Sequence, residues 1–118
     1  ARRIARTAPA ADPVPPPRMT CGGNTMHIGV LTLSLSIEGA DSLKDKRQVV
    51  RSLIQHIRNK FNVSVAEVDE LNVWRRATLG VAVVSNEAAF ANKVLSKVVD
   101  HVEGDWRVVV DDYGIEML

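Results

Sequence analysis

The sequence HIGVLTLSLSIEGADSLKDKRQVVRSLIQHIRNKF, residues 27–61, decides the fold of this chain. Its first part alternates leucine or isoleucine with threonine or serine, which is the period of a β-strand with one buried face. An N-cap then follows at Asp41 or Ser42, with Asp45 placed as in a capping box, and apolar residues recur at helical spacing as far as Phe61. This stretch therefore predicts a strand followed by an amphipathic helix of four or five turns.

The sequence after this helix predicts three more strands and one more helix. Residues 61–69 form a strand whose alternation breaks near Glu67, which indicates a bulge. The other elements are a strand at 77–85, a helix capped by Ser85 or Asn86 that ends at Gly104, and a strand at 106–117. The order βαββαβ predicts an α+β, ferredoxin-like split β-α-β sandwich: a four-stranded antiparallel sheet with two helices on one face.

Length and charge bound the domain organisation. The 118 residues suit one domain, which we assign to residues 26–118. Residues 1–25 are rich in alanine, arginine and proline, and we expect a disordered leader or upstream translated sequence before a start at Met26. This leader carries a charge of +3, so residues 26–118 hold 11 basic and 13 acidic residues. A domain of net charge −2 is not a strongly basic nucleic-acid binder, which leaves a local basic surface.

Two further features concern the cellular setting. No apolar run approaches the roughly 20 residues that a bilayer crossing needs, so no membrane partner is expected. Cys21 is the single cysteine, which excludes an intramolecular disulfide and favours a reducing, cytoplasmic compartment.

The first helix carries positive charge along one flank. Arginine and lysine at these positions suit phosphate oxygens, although a solvated flank is the alternative. A second basic group adjoins Trp74 in the loop between the second and third strands. The candidate nucleic-acid contacts are Lys44, Lys46, Arg47, Arg51 and Arg58, with Arg75 and Arg76 secondary.

The sheet face that the helices do not cover is expected to be flat, with small and weakly polar side chains. It could pack on a second copy in a homodimer or be hydrated. Its candidate residues are Thr32, Ser34, Ser36, Thr78, Gly80 and Ala82.

No group of residues indicates catalysis. The three histidines lack paired metal-ligand spacing, and no glycine-rich phosphate loop is present, so no metal, cofactor or catalytic residue is predicted. Asp111 and Asp112 are neighbours in a strand, where adjacent side chains point to opposite faces, so we do not expect them to converge.

Three segments in order, SLKDKR, FNVSVAEVD and WRRATLGVAVV, together with the opening MHIGVL, closely resemble the YlxP-like bacterial family, a domain of unknown function. The resemblance spans residues 26–118. It implies a ferredoxin-like fold, a cytoplasmic setting and genes beside those for translation initiation and ribosome maturation, and it supplies no catalytic residues.

Three functions remain open. The first is a non-enzymatic RNA- or ribosome-associated accessory module whose partner is rRNA or a ribosomal component. The second is a structural or regulatory homodimer without nucleic acid. The third is an acylphosphatase-like hydrolase using Arg47 and Asn72, which is opposed by the acidic Glu38 and Asp41 near its phosphate position.

Overall fold

The computed structural model describes residues 26–118, and the predictions for residues 1–25 lie outside this range. Its elements are β1 (His27–Ser36), α1 (Leu43–Lys60), β2 (Ser64–Asp69), β3 (Arg76–Ser85), α2 (Ala88–Glu103) and β4 (Val109–Met117). The strands form one antiparallel sheet in the order β2-β3-β1-β4. The predicted ferredoxin-like fold is therefore confirmed.

The two faces of β1 explain why both helices pack on the same side of the sheet. Leu31, Leu33 and Leu35 are at most 1% exposed, whereas the intervening Thr32 and Ser34 are half-buried. The leucines pack with buried residues of both helices, including Leu53 of α1 and Leu95 of α2, in one core. Both helices consequently cover the leucine face, and the other sheet face stays open.

The start of α1 has the predicted cap. The Asp45 amide donates to Ser42 Oγ at 3.1 Å, and the Asp45 carboxylate in turn accepts a hydrogen bond from the Asp41 amide at 3.0 Å. The first bond satisfies a backbone donor of the first helical turn, and the second satisfies the amide of the residue before the N-cap. The cap predicted for α2 is wrong: its N-cap is Glu87, and Ser85 Oγ instead accepts a hydrogen bond from the Glu87 amide.

Two strands contain bulges. The register of β2 against β3 shifts between Glu67 and Asp69, which confirms the break predicted near Glu67. The register of β4 against β1 also shifts, beside Ser34 and Leu35. This second bulge was not predicted, and it changes which face the acidic residues of β4 occupy.

The last strand begins at Val109, so the predicted start at Trp106 is wrong. The Asp105 carboxylate binds both the Arg107 amide and its guanidinium, which holds residues 105–108 in a turn. Arg107 also reaches α1 through a 3.2 Å hydrogen bond to Ser52 Oγ. Trp106 lies outside this network and is 90% exposed.

The surroundings of His101 shift its pKa. Partial burial, followed by the charges of Lys60 and His56, lowers the pKa of His101 below its ordinary value of 6.5, and Asp105 opposes this shift. A histidine with a lowered folded-state pKa takes up a proton more readily when unfolded, so stability is lost as pH falls below about 6.5.

We expect the free energy of unfolding to fall from pH 7.5 to 5.0, and to fall less in His101→Gln. Urea denaturation at both pH values measures this, and identical pH dependences in the two proteins would contradict it.

Candidate nucleic-acid interface

The sequence motif at the start of α1 contains a buried lysine. The side chain of Lys46 is 0% exposed, and its ammonium lies 2.5 Å from the Glu67 carboxylate. The same ammonium donates to the carbonyls of Glu70 at 2.9 Å and Leu71 at 3.2 Å. The ammonium therefore makes two hydrogen bonds and one ion pair, while the buried Glu67 Oε2 that faces it makes no hydrogen bond.

Lys46 was predicted to contact phosphate, and its burial removes it from that set. It precedes Val50 by four residues and Leu53 by seven, so it lies on the buried face of α1. A phosphate cannot reach this ammonium without displacing Glu67. The helical spacing to Val50 and Leu53 is the signal that the sequence carried for this role.

Lys46 attaches the loop after β2 to the first turn of α1. Glu70 has a φ of 60°, in the left-handed region that residues other than glycine seldom adopt. The carbonyls of Glu70 and Leu71 both accept from the Lys46 ammonium there. The Glu70 carboxylate accepts from Thr78 Oγ1 at 3.1 Å, which attaches the same loop to β3.

Lys44, Arg47, Arg51 and Arg58 form what we call the basic stripe. All four are exposed. Within residues 26–118, the side chains of Lys44, Arg47 and Arg51 make no hydrogen bond or ion pair. Arg58 differs, because its guanidinium donates to the Val65 carbonyl of β2 at 3.1 Å. That contact places the stripe on the β2 side of α1.

The two arginines after Trp74 have acceptors of their own. Arg75 Nε donates to the Ala40 carbonyl at 3.0 Å, and its guanidinium lies 3.9 Å from the Asp41 carboxylate. Arg76 Nε lies 3.4 Å from the Glu70 carboxylate. Both side chains are still about 60% exposed, so they can contribute secondary contacts.

The hydrogen bonds of Lys46 and Arg75 bring some of the predicted nucleic-acid contacts close to one another. Lys46 and Arg75 attach the loop of residues 70–75 to the start of α1, beside Lys44 and Arg47. Arg58 lies eleven residues beyond Arg47, about 16 Å along the helix axis, and is separate from this loop.

The predicted dimer residues all lie on the open sheet face. Their cross-strand pairs join Thr32 to Gly80 and Ser34 to Thr78, and the six are half-buried. The face is less flat than predicted, because a Cβ at Gly80 would lie 3.1 Å from Val68 Cγ1. Homodimer formation stays a prediction.

The grouping of possible metal ligands and the length and polarity of the helices bear on metal and membrane binding. In the part of the chain that the structure describes, no three histidine, cysteine or acidic side chains are grouped so that they could hold a metal ion. Neither α1 nor α2 is long and apolar enough to cross a membrane.

The sequence matches one protein family and one curated relative. Residues 28–115 match the family described as "Protein of unknown function (DUF503)". The chain is 34% identical over 76 residues to the "Uncharacterized protein YlxP" of Bacillus subtilis (strain 168), an alignment covering 64% of this chain and 83% of the relative. Neither description states an activity or a ligand.

Replacing Lys46 with methionine tests its structural role. The change keeps an apolar stem but leaves the Glu67 carboxylate and two carbonyls without their donor, so we expect the free energy of unfolding to fall by about 3 kcal/mol or more. Lys44→Met is the matched control, because Lys44 is exposed, and it should change stability by less than about 0.5 kcal/mol. Urea denaturation measures both.

The double variant Lys46→Met with Glu67→Met distinguishes an unpaired charge from a packing defect. It removes the unpaired carboxylate, so it should be more stable than Lys46→Met alone. Equal destabilisation by Lys46→Met and Lys44→Met would contradict the structural assignment.

Proposed function

The chain belongs to the DUF503 family of proteins of unknown function, and we propose that it is a non-enzymatic RNA-binding accessory module in bacterial translation or ribosome maturation. Its setting would be the cytoplasm and its partner rRNA or another ribosomal component. The observation that carries the proposal is the set of unpaired cations on α1: Lys44, Arg47 and Arg51. The translational setting rests on the family resemblance and not on these side chains.

The arrangement of the basic stripe favours a phosphate backbone over an isolated anion. Lys44, Arg47 and Arg51 are separated by three and four residues, about 4.5 and 6 Å along the helix axis. Arg58 extends the line, because only part of its guanidinium is used by the Val65 carbonyl. An elongated row of cations on one flank can contact several successive phosphates and gain from the release of their counterions.

The structure favours the helix flank over the sheet as the RNA surface. Proteins that bind RNA on an open four-stranded sheet stack bases on aromatic residues of the central strands. The central strands here present Thr32, Ser34, Gly80 and Ala82 on the open face. Acidic residues of the neighbouring strands flank them, which would repel phosphates.

The hydrolase alternative finds little support at the start of α1. The first-turn amide of Asp45 is bound by Ser42 Oγ, and Asp41 donates to the Asp45 carboxylate. A phosphoryl group there would meet these acidic side chains. Arg47 and Asn72 are both exposed, and no observation in the structure favours an attack on a bound acyl phosphate.

Reversing charge on the basic stripe tests RNA binding. Arg47→Glu with Arg51→Glu should weaken binding of a fluorescein-labelled 20-nucleotide RNA hairpin by at least about tenfold, and should reduce the slope of log affinity against log salt by about two. Fluorescence anisotropy at 50 to 200 mM salt measures both quantities.

The matched control is Lys93→Glu with Lys97→Glu on α2. Both lysines are exposed, and the change in net charge is the same. We expect this variant to keep most of the wild-type affinity. Binding that does not depend on salt, or equal weakening by the two double variants, would contradict the assignment of RNA to α1.

A further inference from the structure

The open sheet face carries a row of side chains that spans all four strands. Asp69 of β2 is opposite Thr78 of β3, Thr78 is opposite Ser34 of β1, and Ser34 is opposite Asp112 of β4. Directly opposed residues in antiparallel strands share a face. The row therefore places two carboxylates at the edges of the sheet with two hydroxyls between them.

The bulge in β4 adds a carboxylate to this face. Adjacent strand residues normally point to opposite faces, so Asp111 and Asp112 were not expected to converge. The register shift beside Ser34 and Leu35 changes this: Ser36 Oγ donates to Asp111, and Asp112 is opposite Ser34. Both acids thus reach the open face, and the sequence prediction for this pair is wrong.

The open face carries more negative than positive charge. Asp69, Asp111 and Asp112 are exposed, and Glu116 adds a carboxylate opposite Val30. Among the described cross-strand rows of this face, Arg76 is the one lysine or arginine, and it lies 3.4 Å from Glu70. The face is consequently acidic, in contrast to the basic stripe on α1.

Apolar groups remain uncovered on the same face. Val68 and Val84 are 55% and 63% exposed. Val84 is opposite Ile28 at one end of the sheet, and Val68 lies beside Gly80. A shallow cavity of about 270 Å³ lies between the carboxylates, with Thr32 and Tyr113 in its lining. Exposed valines next to carboxylates suit a partner that is both cationic and apolar.

We propose that the open sheet face docks a basic polypeptide segment of a partner protein, with lysine or arginine side chains at Asp69 and Asp112 and an apolar side chain on Val68. Charge complementarity identifies the partner. RNA phosphates and a second copy of this face both carry the same sign of charge as the surface and would be repelled.

The distance between Asp69 and Asp112 specifies the spacing of the cations in the partner segment. Asp69 and Asp112 are three strand spacings apart, about 14 Å. An extended chain advances about 3.4 Å per residue, so cations four residues apart are separated by a similar distance. The complementary segment is an extended chain that crosses the strands with lysine or arginine at positions i and i+4.

The test uses the full chain and a labelled 12-residue peptide with arginine at positions 3, 7 and 11, separated by valine and serine. Wild-type protein should bind this peptide in fluorescence anisotropy at 50 mM salt, and a peptide with glutamate at the same positions should not bind. Asp69→Asn with Asp112→Asn should weaken binding by about tenfold, because two exposed ion pairs are lost. Asp112→Asn alone should weaken it by about threefold, and this variant leaves the loop after β2 unchanged.

Asp100→Asn with Glu103→Gln on α2 is the matched control, because both residues are exposed and the net charge changes equally. It should bind the arginine peptide as the wild type does. Absence of binding by folded wild-type protein, or equal weakening by the two double variants, would overturn the proposal. A dimer in sedimentation that Ala82→Arg on this face dissociates would also overturn it in favour of a second copy. None of these measurements involves RNA, so they are independent of the function proposed for α1.

Discussion

The ion pair between Lys46 and Glu67 is the interaction on which the arrangement of the candidate sites depends. The Lys46 ammonium also binds the carbonyls of Glu70 and Leu71, so one side chain joins α1, the end of β2 and the following loop. A buried charge is costly unless it is paired, and this ammonium is paired with one carboxylate and hydrogen-bonded to two carbonyls. The contact thereby fixes how the flank of α1 stands relative to the β2 edge.

The fold could be predicted because its signals are local. The alternation in β1, the Ser42 cap and the break near Glu67 each depend on a few neighbouring residues, and each is confirmed. The start of β4 could not be predicted, because the Asp105 and Arg107 side chains hold a turn where the apolar pattern continues. The exposure of Trp106 follows from that turn.

The candidate sites were less predictable because tertiary contacts decide which charges are available. Lys44, Lys46 and Arg47 carry the same charge and lie within four residues of one another, but of the three only Lys46 faces Glu67. Arg58 is likewise partly used by a β2 carbonyl, where it covers an edge-strand acceptor. Asp111 and Asp112 of β4 share the open face because of a bulge that alternation alone does not indicate. The domain consequently has a basic flank and an acidic open face despite a small net charge, and we infer different partners for the two.

Lysine reactivity measured by mass spectrometry distinguishes the buried role of Lys46 from an RNA-binding role of Lys44. The folded protein is treated with a limiting amount of an acetylating reagent, with and without saturating RNA hairpin, and modification is quantified at each lysine. We expect Lys44 to react in the free protein and to be protected by RNA, whereas Lys46 should be unreactive in both states because its ammonium is buried against Glu67. Reaction of Lys46 at the rate of Lys44, or reactivity of Lys44 that RNA leaves unchanged, would contradict these roles.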